Sequence, residues 1–168
     1  MRGLINWKRV ALLSAIVALP LAWAPLDAFA KNHAFLLNAS PSLPHWAFWL
    51  DREVPIARGS LIFFEPAPSA LVRRHFGARP QIFGKRVIGM PGDIVSHAGM
   101  DVFINGKKVA TRIATTSLGI ALARGPEGPI PDSCFYVGTD HPRGLDSRYG
   151  AIGLVCRGRI LGSGKAIL

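Results

Sequence analysis

Acidic residues are scarce in this chain. Only 10 Asp and Glu stand against 20 Lys and Arg in 168 residues, for a net charge of +10. Between Glu65 and Asp93 there is no acid at all, while Arg73, Arg74, Arg79, Lys85 and Arg86 fall in that interval. A basic run of this kind suits a solvated loop face or a surface facing anionic lipid headgroups. No nucleic-acid-binding module is visible, so no nucleic-acid partner is expected. Cysteines number two, and none of the histidines pairs at ligand spacing, so neither a metal nor a cofactor is expected. The Gly-x-Ser-x-Gly elbow is missing, which disfavours a Ser-His-Asp triad built on His33, His45, His75, His97 or His141. Internal repeats, low-complexity segments and runs of long amphipathic helices are also absent.

What is present begins with a basic flank, Arg2, Lys8 and Arg9, followed by an apolar segment from Val10 to Ala30 broken only by Ser14, Pro20, Pro25 and Asp27. The flank keeps the N-terminus cytoplasmic and sends the rest across the membrane. Two readings compete. Ala28-Phe29-Ala30 fits the small-x-small pattern of a cleaved signal sequence. The segment is also close to the roughly 20 apolar residues that a retained anchor needs. Either reading puts residues 31–168 outside the cytoplasm, as one domain.

Within that domain, short strands at close spacing with glycine turns point to an all-β, mainly antiparallel, partly barrel-like fold. Strands are expected at Arg58–Glu65, Phe83–Met90, Ile94–His97, Asp101–Ile104, Lys107–Ile113, Ser133–Gly138 and Ala151–Arg157. Asn105-Gly106 is a type I′ hairpin signal, since both residues accept positive φ. Lys31–Trp49 reads as a lead-in segment, Ala70–Phe76 as one or two helical turns, and 114–133 as a Gly/Pro-rich excursion.

The chemistry concentrates in Lys85-Arg86-Val87-Ile88-Gly89-Met90-Pro91-Gly92-Asp93. Side chains alternate along a strand, so Lys85 shares a face with Val87 and Gly89 while Arg86 points the other way. Desolvation on an apolar face lowers the pKa of a lysine and lets it act as a base near neutrality. Upstream, Ser42 in Ser40-Pro41-Ser42-Leu43-Pro44 is a candidate nucleophile for that base. Asp93 reads as a turn residue bonding nearby backbone.

That nine-residue stretch resembles the lysine box of the signal peptidase I superfamily, the serine–lysine peptidases of family S26. Asn38-Ala39-Ser40-Pro41-Ser42-Leu43-Pro44 resembles the nucleophile box of its TraF-type conjugative transfer branch, roughly Asn-x-Thr-x-Ser-x-Pro-x-Gly-x-Tyr. Asp146-Ser147-Arg148-Tyr149-Gly150 resembles the C-terminal Asp-Ser-Arg-Tyr box, and Arg58–Phe64 the Arg-Gly-Asp-hydrophobic strand. The four boxes stand in the family's order over residues 31–168.

The resemblance implies a signal-peptidase/LexA-like β fold behind an N-terminal transmembrane helix at residues 1–30. It implies a Ser42–Lys85 dyad and no cofactor. Ser40 and the N–H of Ser42 would form the oxyanion hole, where one donor is worth roughly 3 kcal/mol. Asp146 and Arg148 would support the lysine. Leu61, Phe63 and Val87 would line a groove taking the substrate as an added strand. If the Asp-Ser-Arg box is the loop of a hairpin centred near Leu145, Cys134 and Cys156 stand opposite each other. A disulfide and two small buried side chains both fit that placement. Three positions depart from the pattern: Trp46 replaces Gly, Phe48 replaces Tyr, and Gly144 replaces a serine expected to hydrogen-bond the lysine.

The expected activity is serine endopeptidase cleavage at the periplasmic face of the inner membrane. The expected substrate is a conjugative propilin, cut and in some relatives cyclised, with type IV secretion components and membrane lipid as partners. A general type I signal peptidase acting on secretory preproteins is the alternative enzyme. A non-catalytic assembly or scaffold protein is the alternative of another class.

Overall fold

A computed structural model describes residues 7–38, 43–78 and 82–167, leaving aside five side chains of the first helix (9, 19, 21, 22 and 24). The chain divides into two compact units, Met1–Ala34 and Phe35–Leu168.

The first unit is helix α1, Trp7–Asn32, with Pro20 and Pro25 inside it. Its last turn is tied by an exposed ion pair between Lys31 and Asp27, 2.6 Å apart. The sequence places a transmembrane helix at residues 1–30, and a helix does form at Trp7–Asn32. Among the described residues, however, no helix is long and apolar enough to cross a membrane.

The second unit is built of strands, with one short helix. The chain runs through β1 (His33–Leu37), β2 (Ala47–Asp51), β3 (Leu61–Phe64), α2 (Ala70–Phe76) and β4 (Phe83–Gly89). It continues through β5 (Ile94–Ala98), β6 (Asp101–Ile104), β7 (Lys107–Thr111), β8 (Gly128–Pro129), β9 (Cys134–Gly138), β10 (Val155–Cys156) and β11 (Ile160–Ala166). Seven strands form one sheet in the order β1-β2-β11-β3-β4-β9-β10, and four form a second, β7-β6-β5-β8. The described pairings, β2–β11–β3–β4–β9–β10 and the whole of the second sheet, are antiparallel. Neither sheet closes on itself, so the barrel-like expectation is corrected to two open sheets: β1 and β10 end the large one and do not pair with each other.

Local chemistry explains most of the elements. β4 alternates as read, with Phe83, Lys85, Val87 and Gly89 buried and Arg86 exposed. Asn105 and Gly106 take φ of 50° and 76° and turn β6 into β7. Ser69 caps α2 by accepting from the Val72 N–H at 3.1 Å, and Gly77 ends it at a φ of 87° that favours glycine. The run Cys-Phe-Tyr-Val-Gly of β9 is buried throughout, as suits a strand covered on both faces.

Several elements depart from the sequence reading, among them the short strand β8 inside the Gly/Pro-rich excursion. The lead-in segment holds two strands, β1 and β2. The expected strand over Ala151–Arg157 shrinks to Val155–Cys156, because Gly153 takes a φ of 62° in a turn just before it. The last strand, β11, was not expected at all, yet it lies inside the large sheet between β2 and β3.

Two cores hold the unit. One joins Ile62, Phe64, Phe83, Val87, Phe135, Val137 and Val155. The other joins Val95, Val102, Ile104, Ile130 and Tyr136 under the small sheet. Burying one such side chain is worth roughly 1.5–3 kcal/mol. Together they fix β4 and β9, the two strands that carry the site.

Candidate active site

Lys85 sits mid-strand on β4, between Ile62 of β3 on one side and the start of the β9 pairing on the other. Only 4% of the residue is exposed. Its Nζ lies over the Phe83 ring, 5.7 Å from the centroid. Burial disfavours the charged amine and pulls its pKa from 10.5 down to about 8, with Asp146 pulling it up and Arg148 down by smaller amounts. A pKa near 8 leaves a minority of the amine neutral at pH 7 and half of it neutral at pH 8, and the neutral form is what a general base requires.

Asp146 and Arg148 lie in the loop after β9, both buried. Arg148 grips the carboxylate at both ends: Nε donates to Oδ1 and Nη2 to Oδ2, each at 2.8 Å. The same guanidinium ties down the surrounding loop by donating to the carbonyls of His141 and Gly144, each at 3.0 Å, and of Thr111 at 3.2 Å. Asp146 in turn accepts from the Thr139 N–H at 3.2 Å. Burial works against the Arg148 charge, but the Asp146 hydrogen bond and charge outweigh it and raise the guanidinium pKa. Between them, Ser147 bridges strand and loop, accepting from the Val137 N–H at 2.9 Å and donating to the Gly153 carbonyl at 2.7 Å. The Asp-Ser-Arg box is thus an internal brace with no face turned to solvent.

A cleft of about 720 Å³ opens over Lys85. Its walls include Leu43, Phe48, Phe63, Phe76, Ile82, Phe83 and Leu145, with Asn38, His141 and Gly144 as polar or backbone elements. Leu43 follows Ser42 directly in the chain. Its Cδ1 packs so close to Gly84 that a Cβ there would stand 3.0 Å away. The stretch after Ser42 is held by Asn38, whose Nδ2 donates to the carbonyls of Leu43 at 3.0 Å and His45 at 2.7 Å. Its N–H meets the Trp46 carbonyl at 2.8 Å. Ser40 and Ser42 themselves fall within 39–42, outside the described residues.

The groove residues divide. Phe63 lines the cleft beside Lys85. Leu61 lines a second, smaller hollow with Ser60 and Arg86. Val87 lines neither: it is 1% exposed and belongs to the first core, beside Phe135 and Val137 of the neighbouring strand β9. Phe48, where the box departs from Tyr, is buried against Phe63 at 5.3 Å between ring centroids, and Trp46 is exposed. Cys134 and Cys156 are paired across β9 and β10 and joined in a disulfide.

One structural partner escaped the sequence. Asp93 accepts from the Met90 N–H at 2.7 Å, as its turn demands, but also from Arg58 at 2.6 Å and from Asn105 at 2.8 Å. Burial opposes its charge, yet these three bonds hold its carboxyl below the ordinary value. Arg58 also donates to the Ile88 carbonyl. The Arg-Gly and Pro-Gly-Asp boxes, 35 residues apart, are therefore one cross-strand lock.

Comparison with known proteins adds the following. The model of the family described as signal peptidase, peptidase S26, matches residues 5–168. Signal peptidase I of Bacillus licheniformis is 35% identical over 92 residues, covering 49% of this chain and 48% of that protein. Signal peptidase I T of Bacillus subtilis (strain 168) is 36% identical over 92 residues, covering 49% and 47%. The chain spans about half the length of the curated relatives it matches. A solved signal peptidase I from Enterococcus faecalis V583 is 24% identical, covering 67% of this chain and 98% of that one, at a TM-score of 0.39.

Proposed function

This chain belongs to the signal peptidase family, peptidase S26, and we propose that it is a serine endopeptidase in which Ser42 is the nucleophile and neutral Lys85 the general base. The observation that carries the reading is the buried amine of Lys85, which shares its cleft with Leu43, the residue next to Ser42. In the reaction, Lys85 takes the proton of Ser42 Oγ as that oxygen attacks the scissile carbonyl. Ser40 Oγ and the Ser42 N–H receive the developing oxyanion. The C–N bond then breaks, Lys85 returns the proton to the leaving amine, and water hydrolyses the serine ester. Asp146 and Arg148 hold the loop that walls the lysine. The cleft's apolar walls suit an extended segment with small side chains at the first and third positions before the cut.

The substrate we assign is an exported precursor presented at the outer face of the membrane, to which residues 1–30 tether or direct the peptidase domain, 31–168. The name borne by the curated relatives favours a secretory signal peptide as the part removed. The spacing Asn38-x-Ser40-x-Ser42-x-Pro44 supports a narrower substrate, a conjugative propilin processed for a type IV secretion apparatus. The test is processing by the full chain in membrane vesicles, read by mass spectrometry, with a secretory preprotein and a propilin as separate substrates. Wild type should shorten at least one precursor, and Ser42→Ala and Lys85→Ala should leave both full length. Equal processing by all three would overturn the dyad and move the scaffold reading forward. Cleavage of the propilin alone would select the narrower substrate.

A further inference from the structure

Thr139 is the residue at which β9 leaves the sheet. Strands β4 and β9 pair with Arg86 opposite Gly138 and Val87 opposite Val137. Continuing that register by one residue sets Thr139 across from Lys85. Opposed residues on antiparallel strands face the same way, with Cβ atoms about 4.5–5.5 Å apart. The Thr139 N–H has turned away to Asp146, which fixes the residue against the brace. Its Oγ1 is sealed from solvent and has no hydrogen-bond partner among the described residues. Leaving a sealed hydroxyl without a partner is costly, so a nearby donor is favoured.

Gly144 supplies the second observation. A Cβ at Gly144 would stand 2.3 Å from Thr139 Oγ1, and Gly144 walls the cleft that holds Lys85. The threonine hydroxyl therefore fills the space in which a side chain at position 144 would begin. The Lys85 amine makes no hydrogen bond to any described residue, and its four-carbon stem has the torsional freedom to reach that oxygen.

We propose that Thr139 is a positioning residue for Lys85: its Oγ1 accepts one N–H of the amine and turns the nitrogen lone pair toward Ser42. The inference rests on the reading of Lys85 as the base. It gives Gly144 a meaning as well, since the hydroxyl usual at 144 in the resembling boxes is supplied here from β9, and the two cannot both be present without displacement.

The test compares kcat, KM and the pH dependence of kcat for wild type, Lys85→Ala, Thr139→Val, Thr139→Ser, Thr139→Ala and the swap Thr139→Ala/Gly144→Ser, on one precursor peptide. Misplacing a catalytic group by about an ångström costs up to roughly 100-fold, so Thr139→Val should lose roughly 10- to 100-fold in kcat with KM little changed. Its pH midpoint should move down, because an accepting oxygen favours the ammonium and its removal does not. Thr139→Ser should keep most of the activity, and the swap should recover what Thr139→Ala loses. An active Lys85→Ala would sink the dyad reading and this inference with it. An inactive Lys85→Ala beside a Thr139→Val with wild-type kcat and midpoint would overturn the inference alone. If Thr139→Val does not fold, the swap decides: no recovery over Thr139→Ala contradicts the proposal.

Discussion

Asp146 and Arg148 meet as a two-pronged pair, Oδ1 to Nε and Oδ2 to Nη2, both at 2.8 Å and both buried. The pair neutralises itself next to Lys85. Asp146 alone would raise the lysine pKa and Arg148 alone would lower it, which leaves burial as the dominant influence. The box braces the loop and keeps the local charge balanced, so that the amine responds mainly to being dry.

That balance can be tipped in either direction. Arg148→Met leaves Asp146 charged and should move the pH–rate midpoint up, while Asp146→Asn leaves Arg148 charged and should move it down. Each variant breaks a buried pair and should lose roughly 3–5 kcal/mol of stability by denaturant titration. Midpoints that stay at the wild-type value in both would show that the pair does not act on Lys85.

The buried amine has a stability cost with a definite pH signature. Its folded pKa, about 8, lies below its ordinary 10.5. Between those values the unfolded chain holds a proton that the folded chain has lost, so stability rises as pH climbs through that window. Below it the full penalty applies, on the order of 3 kcal/mol from the linkage of proton binding to folding. Lys85→Met should abolish activity yet raise the melting temperature by several degrees at neutral pH. A lower melting temperature would mean that the amine is not held at a cost.

Phe63 lies between two glycines, one on each neighbouring strand. A Cβ on Gly164 of β11 would stand 2.3 Å from Phe63 Cε2, and one on Gly84 of β4 would stand 2.8 Å from Cε1. Gly164→Ala should push the ring toward the cleft and destabilise the fold by roughly 1–3 kcal/mol, the usual range for overpacking. Thermal unfolding of Gly164→Ala checks this. A variant as stable as wild type would show that the ring has room to move.

The Cys134–Cys156 disulfide closes a 22-residue separation across β9 and β10, around the loop that carries Asp146 and Arg148. Opening it should cost roughly 3 kcal/mol, mainly through the freedom regained by the unfolded loop. Denaturant midpoints with and without reductant measure this. The same treatment should lower activity, because the brace loop loses its tether.

Much of this was legible in the chain. The alternation of Lys85, Val87 and Gly89 is a period-2 pattern with a polar residue on its apolar face, and the strand and its burial followed from it. Asn105-Gly106 carried its hairpin for the same local reason. β11 was hidden because Gly162 and Gly164 erase the apolar alternation, and they are there to admit Phe63 and the backbone of Asp51. Val87 was misplaced into the groove because alternation gives a face and not the depth at which that face is covered. The Arg58–Asp93 lock joins residues 35 apart, and Thr139 is tied to Asp146, seven residues on, by a backbone N–H. Neither relationship leaves a pattern along the chain.

The most direct test of the central claim is the pH dependence of kcat/KM for the full-length wild-type protein on a precursor peptide, with Ser42→Ala as the blank. With Lys85 as the base, the rate should rise roughly tenfold per pH unit on the acid side and level off above a midpoint near 8. A profile flat through that region would contradict the dyad.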